Sequence, residues 1–491
     1  MTPFERSRRD FMKTAGAGIG SLALSPAVLS AQNTKAKKPN VLFIAVDDLR
    51  PELSCYGETQ IISPNIDRLA SGGTLFTRSH CNVPVCGASR ASLLTGVRPL
   101  WDRFVNYQTR ADEDLPGHLS LPRFLKNNSY HTISNGKIYH HKDDDPGGWS
   151  EPAWGPSGDW AGWQAYIADE SNRIIEENRK QAGNNAVKGP AWEAPDCADN
   201  DYPDGKTADK TIEDLRRLAQ KDQPFFLAAG FLKPHLPFNA PKKYWDLYDH
   251  DSIELTDNPY RPQNVPDQAI HNSGELRGGY SNVPESTPLP EDYARWLVHG
   301  YYACVSYTDA QIGKLLNELD RLGLRDNTVV ILWGDHGWNL GEHTMWCKHC
   351  NFETSLRAPV IISAPGYDGS QKSDALVEYV DIYPTIAELC GFDIPGHCEG
   401  ISFVPLMSDP GRKWKDAVFS RWIKGDTVTT KRYQYTQWRN EDGGPVTARM
   451  LYDHDTDPDE NVNVAENPKY ARAAAEMSKM LADGWKSVKM K

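Results

Sequence analysis

Val41-Leu42-Phe43-Ile44-Ala45-Val46-Asp47-Asp48 decides the fold: six apolar residues without interruption, then two carboxylates. An apolar run that does not alternate reads as a strand covered on both faces, the habit of parallel sheets packed between helices. Thr328-Val329-Val330-Ile331-Leu332-Trp333 repeats the pattern and ends in Gly334-Asp335-His336-Gly337. Pro224 to Gly230 and Pro359 to Ser363 add two more such runs. Between them lie helical patterns such as Asp309 to Leu322, with Ile312, Leu315, Leu316 and Leu319 on one face. The alternation predicts an α/β sheet with helices on both sides. Ligands of such sheets collect beyond the carboxyl ends of the strands, where both acidic pairs fall.

The chain has 491 residues, 39% hydrophobic and 24% charged, the composition of an ordinary globular protein with room for one large core and a smaller unit. Its net charge of -12 argues against a nucleic-acid surface, so an anionic ligand must meet local positive charge. Ser7-Arg8-Arg9-Asp10-Phe11-Met12-Lys13, followed by a mildly apolar run from Ala15 to Leu29, reads as a twin-arginine export signal over residues 1–31. That run is too short and glycine-rich to span a bilayer, so the expectation is passage through the twin-arginine machinery to a periplasmic or extracellular location, without stable membrane insertion. Nine cysteines are too few for a disulfide scaffold, and the odd count leaves one unpaired. Cys390 and Cys398 could pair, and Cys347-Lys348-His349-Cys350 reads as a local disulfide or two free thiols.

Residues 143–205 and 255–290, rich in Gly, Pro, Trp, Asp and Asn, look like surface insertions that shape a pocket. After Met407-Ser408-Asp409-Pro410-Gly411 the pattern changes to short β-like runs at 417–423, 433–438 and 450–452 and a final amphipathic helix from Lys469. A boundary near 409 divides a main domain, 32–408, from a C-terminal subdomain, 409–491.

Asp47, Asp48 and Asp335 arrive from two separate strand ends, and carboxylates without Cys partners suit a hard cation such as calcium or magnesium. Helix capping is the alternative use of Asp. Val85-Cys86-Gly87-Ala88-Ser89-Arg90 precedes the helix-like run Ala91 to Thr95. A helix starting near Ser89 aims unpaired N–H groups and its positive end at side chain 86, which suits an anion, and Arg90 adds positive charge. An inert buried thiol is the plainer reading of Cys86.

The stretch from Cys86 to Arg90 resembles the modification motif of the type I sulfatases. Asn135-Gly136-Lys137-Ile138-Tyr139-His140, Gly230-Phe231-Leu232-Lys233-Pro234-His235-Leu236-Pro237-Phe238 and Asp335-His336-Gly337-Trp338-Asn339-Leu340-Gly341-Glu342-His343 resemble, in the same order, segments of the iduronate-2-sulfatase branch. The resemblance covers most of residues 39–405. It implies an alkaline-phosphatase-like sandwich, a large mixed sheet flanked by helices with a smaller C-terminal α+β subdomain. It also implies that a maturation enzyme oxidises Cys86 to formylglycine, whose hydrate attacks sulfur; loss of a proton from the second hydroxyl then expels sulfate. Ala88 stands where Pro is more usual. The metal set implied is Asp47, Asp48, Asp335 and residue 86, with His336 as a further ligand where many sulfatases carry Asn.

Carried over residue by residue, Asp335 would act as general base, and Lys137, Lys348 and Arg90 would bind sulfate oxygens. His235 would protonate the departing oxygen, sharing that task with Lys348, and His140 would take the proton that drives sulfate out. Fifteen Trp and 21 Tyr offer platforms for sugar rings, and Trp338, beside the metal pair, is the first candidate for a substrate contact, with Lys137, His235 and Lys348. A sulfated sugar of a polysaccharide or glycosaminoglycan is the implied substrate. The rivals are a phosphonate or phosphate ester hydrolase of the same fold and a non-catalytic protein that binds sulfated glycans.

Overall fold

Seven strands build the central sheet: β1 (Asn40–Val46), β2 (Thr74–His80), β3 (His131–Gly136), β4 (Phe225–Phe231), β5 (Thr328–Gly334), β6 (Val360–Ser363) and β7 (Gln371–Glu378). Their order is β7-β2-β6-β5-β1-β4-β3. The computed structural model describes residues 37–156, 165–182 and 187–488, and the export segment inferred over 1–31 lies outside them. β3, β4, β1 and β5 run parallel, whereas β6 is antiparallel to both its neighbours, so the sheet is mixed. β1, β4 and β5 are buried along their whole length, as their unbroken apolar sequences require.

The register places the site. Val46 lies opposite both Phe231 and Gly334, and Gly136 lies opposite Gly230. Four parallel strands therefore end at one edge, delivering Asp47, Lys137, Asp335 and the segment from Leu232 together. The Asp47 amide donates to Phe231 O at 3.1 Å and the Asp335 amide to Val46 O at 3.1 Å, which carries the alignment one residue past the strands. Glycine is needed at this edge: a Cβ on Gly230 would stand 2.1 Å from Lys137 O.

The principal helices are α1 (Pro64–Ser71), α2 (Cys86–Thr95), α3 (Pro203–Leu218), α4 (Gly274–Gly279), α5 (Glu291–Arg321) and α6 (Ala471–Asp483). Two apolar clusters, one on each face of the sheet, use alternate residues of the same strands: Leu42, Ile44 and Val46 on one side, Val41, Phe43 and Ala45 on the other. α5 corrects the sequence reading, because the helix expected from Asp309 begins at Glu291. Its middle buries Tyr301, Tyr302, Ala303, Cys304, Val305 and Tyr307 almost all round, which erases the amphipathic period. Asp309 is thus a mid-helix residue that caps another helix, accepting from the amides of Asn65 (3.0 Å) and Ile66 (2.7 Å) and from Asn65 Nδ2 (2.7 Å) at the start of α1.

The C-terminal strands β8 (Ala417–Trp422), β9 (Gly425–Thr430), β10 (Tyr433–Arg439) and β11 (Val446–Asp453) form an antiparallel meander covered by α6. β9, alternating Thr and Val with a Gly and an Asp, carried no apolar run and escaped the sequence reading. The meander docks beside the segments that bear Cys86 and Lys348: the Arg421 amide donates to Asn82 O at 2.8 Å, and Asn351 Nδ2 to Thr427 Oγ1 at 2.9 Å. All nine cysteines are free, so Cys390 and Cys398 do not pair; Cys347 and Cys350 are buried thiols. No described helix is long and apolar enough to cross a membrane.

Asp309→Ala orphans two buried helix-start amides and should lower the unfolding free energy by about 1–3 kcal/mol in urea titrations, with Asp309→Asn losing less.

Candidate functional site

Helix α2 begins at Cys86 itself, three residues earlier than its sequence suggested, with Val85 in extended geometry as its N-cap. Cys86 is 3% exposed and faces a cavity of about 570 Å³ that it shares with Lys137, His140, His235, Glu275 and Lys348. The whole helix is buried, which explains its small residues: a Cβ on Gly87 would stand 2.3 Å from Tyr107 O, so glycine lets the rim loop close over the helix start.

Arg90, one turn on, is fully buried. Its Nε donates to Asp335 Oδ2 at 2.8 Å, its second terminal nitrogen lies 3.4 Å from Asp47 Oδ1, and the first donates to the carbonyls of Lys137 and of Ile138 (3.1 Å). Expected to meet sulfate, Arg90 instead ties the strand ends to the helix bearing Cys86. Ser89 adds a hydroxyl bond to Asp335 O.

Ligand atoms of Asp47, Cys86, Asp335 and His336 lie within 4.8 Å of one another. Asp48 joins them, since its Oδ1 is 3.4 Å from His336 Nε2. Asp48 holds a left-handed backbone, φ 60°, that turns it toward the site, and the Tyr301 hydroxyl donates to its carbonyl at 2.9 Å. The set fits a divalent cation on one further observation: His336 Nδ1 is 2.9 Å from Gly337 O, while its buried Nε2 has no hydrogen-bond partner. A buried imidazole nitrogen held toward three carboxylates is what a metal ligand looks like before its metal is added.

Two lysines face these carboxylates. Lys137 bonds Asp47, and Lys348 Nζ lies 2.9 and 3.1 Å from the two oxygens of Asp48. Burial works against the Asp47 anion, but Lys137, His235 and Arg90 outweigh it and hold its carboxyl well below the usual range. Burial wins at Asp48 and pushes its carboxyl up despite Lys348. Burial is the largest single influence on each lysine and lowers it, but the acidic neighbours together hold both above the ordinary value, Asp47 with Cys86 and Asp335 at Lys137, and Asp48 with Glu275, Cys86 and Asp47 at Lys348. Cys347 and His349, with φ of 73° and 76°, kink the chain on either side of Lys348 and aim it inward.

His140 Nδ1 is 3.1 Å from the Cys86 sulfur, and burial together with Lys137 pushes that imidazole down to about 3. His235 sits between Leu236 O, 2.6 Å from its Nδ1, and Glu275 Oε1, 3.1 Å from its Nε2. Trp338, expected to touch substrate, has no exposed surface. Its ring lies against those of His235 and Phe238 and under the Lys348 ammonium, 4.9 Å from the centroid, so it backs these cavity-lining residues from behind. Glu275, Tyr107 and His349 line the cavity and were not singled out from sequence. Glu275 comes from the short α4 inside the 255–290 insertion, where no spacing relates it to a motif.

The sulfatase family profile matches residues 39–392, and a profile for the C-terminal region of N-sulphoglucosamine sulphohydrolase matches 341–487. The chain is 32% identical to iduronate 2-sulfatase of Homo sapiens over 79% of this chain and 75% of that protein. It is 33% identical to a sulfatase of Formosa agariphila over 88% of this chain and 84% of that one. Among solved structures, a phosphonate monoester hydrolase of Agrobacterium radiobacter superposes with a TM-score of 0.71 at 23% identity, covering 91% and 95% of the two chains, which establishes a shared fold.

Stripping divalent cations with a chelator should lower the melting temperature, and calcium or magnesium should restore it. Cation at 100 times its Kd corresponds to about 2.7 kcal/mol of stabilisation. Asp335→Asn should abolish that cation-dependent increment in the same thermal scans.

Proposed function

This chain belongs to the sulfatase family and is a sulfuric ester hydrolase, and we propose that it removes sulfate from a sulfated sugar of a polysaccharide or glycosaminoglycan with formylglycine made from Cys86. The observation that carries the reading is the position of Cys86: its sulfur lies within 4.8 Å of ligand atoms of Asp47, Asp335 and His336 and 3.1 Å from His140 Nδ1. Oxidised by a maturation enzyme, residue 86 supplies an aldehyde hydrate as nucleophile. Asp47, Asp48, Asp335, His336 and residue 86 would hold a divalent cation, calcium or magnesium, which would supply Lewis-acid charge neutralisation.

The chain's own residues do the rest. Lys137 and Lys348 place two ammonium groups on the cavity wall, where the charge of a transferring sulfuryl group needs neutralising. Asp335 is the carboxylate placed to take a proton as residue 86 attacks. His140 Nδ1 is the atom placed to take a second proton from residue 86, which lets sulfate go. His235, fixed from both edges, delivers a proton to the departing sugar oxygen, with Lys348 sharing the task. Arg90 serves all of them by holding Asp47 and Asp335 in place. The net reaction consumes one water and yields sulfate and a free sugar hydroxyl.

Resemblance to iduronate 2-sulfatase supports a 2-O-sulfated uronic acid as the first substrate to try. The twin-arginine segment supports folding and modification in the cytoplasm, then export to the periplasm or beyond.

In protein from its native host, mass spectrometry of the peptide containing residue 86 should show the lower mass of formylglycine. A persistent thiol there would favour a glycan-binding role instead. Cys86→Ala should reduce sulfate release from defined sulfated oligosaccharides to background, and Lys348→Ala should cost about 100- to 1,000-fold in kcat. Faster turnover of an aryl phosphonate than of any sulfate ester would contradict the proposal.

A further inference from the structure

We infer that Glu275 is a positioning residue, which holds His235 and Lys348 together so that the proton reaches the leaving sugar oxygen; the inference rests on the sulfatase reading above. One oxygen of its carboxylate, Oε1, lies 2.9 Å from Lys348 Nζ and 3.1 Å from His235 Nε2. These are the two groups assigned to leaving-group protonation. No other carboxylate among the described residues pairs with both at such distances: Asp48 bonds Lys348 closely but stands 3.9 Å from His235.

An acidic side chain in the wall of a pocket that takes a sulfate ester opposes the binding of its own substrate. The cavity nevertheless keeps Glu275, and the surroundings keep it ionised: burial raises its carboxyl, but Lys348 and His235 together hold it well below the usual range. A helix-start role does not account for it. Glu275 stands in the first turn of α4, yet its carboxylate reaches across to partners 73 and 40 residues away in sequence rather than to the helix amides. A role in binding the ester is opposed by its sign.

Geometry gives it a different use. The His235 ring is oriented at Nδ1 by Leu236 O, and its Nε2 lies against Glu275 Oε1 in the cavity lining, where the carboxylate steers the Nε2 proton until a departing oxygen competes for it. Lys348 is caught between Asp48 and Glu275 above the Trp338 ring. Loss of Glu275 frees the outer end of both side chains while leaving Cys86, His140, Lys137 and the carboxylate cluster in contact with one another. The step that suffers is the one needing an aimed proton donor, and its importance depends on the leaving group. A sugar alkoxide must be protonated as it leaves; a nitrophenolate leaves without help.

The test compares the parent enzyme, Glu275→Gln and Glu275→Asp on 4-nitrophenyl sulfate and on the sugar sulfate that the parent turns over fastest, with formylglycine content and melting temperature measured on each preparation. Glu275→Gln should lose about 100-fold in kcat on the sugar sulfate. Its loss on the aryl sulfate should be less than about 10-fold, with KM little changed on either. Glu275→Asp, which keeps the charge on a shorter arm, should retain more of the sugar-sulfate rate than the Gln variant. Equal losses on the two substrates, no loss on the sugar sulfate, or a better rate for Gln than for Asp would overturn the inference while leaving the sulfatase reading intact. A parent fully converted at residue 86 that releases sulfate from neither substrate would overturn both.

Discussion

The buried guanidinium of Arg90 is the constraint on which this site rests. Asp47 and Asp335 end two adjacent parallel strands with no exposed surface, and two carboxylates so placed repel one another and forfeit hydration. Arg90 bonds both and two neighbouring carbonyls besides, at the cost of its own desolvation. Because Arg90 lies one helical turn after Cys86, satisfying the carboxylates also fixes where the helix begins. The position of residue 86 is therefore a consequence of charge balance at the sheet edge.

Around that tie the charges are arranged in opposed pairs. Lys137 faces Asp47 and Lys348 faces Asp48, so each cation that would meet a sulfate oxygen is held, without ligand, by a carboxylate that would serve a divalent ion. A cation drawn to the carboxylates and an anionic ester drawn to the lysines relieve each other's competition. The opposed pushes on the Asp47 and Asp48 carboxyls express the same frustration: one has three positive neighbours to offset burial and the other has too few. Left-handed backbone on residues other than glycine also occurs here, at Asp48, Cys347 and His349.

Much of this was legible in the sequence because it is encoded locally. Unbroken apolar runs declared the buried strands, and the polar residues after β1 and β5 meet because these parallel strands end in register. What was not legible depends on which surface faces which. Trp338 stands two residues after His336, yet packing against Phe238 and His235 buries it. Arg90 has the charge to bind sulfate, yet Asp47 and Asp335 claim it. The middle of α5 lost its period because it is buried nearly all round, and Glu275 belongs to an insertion whose contacts with Lys348 and His235 exist only in the folded chain.

A crystal structure of the matured protein grown with calcium, read by anomalous diffraction, tests the central claim most directly. The expected result is one cation bonded by Asp47, Asp48, Asp335 and His336, with the oxidised side chain 86 against it and Arg90 still bridging Asp47 and Asp335. A cation bound elsewhere, or residue 86 turned away from the carboxylates, would contradict it.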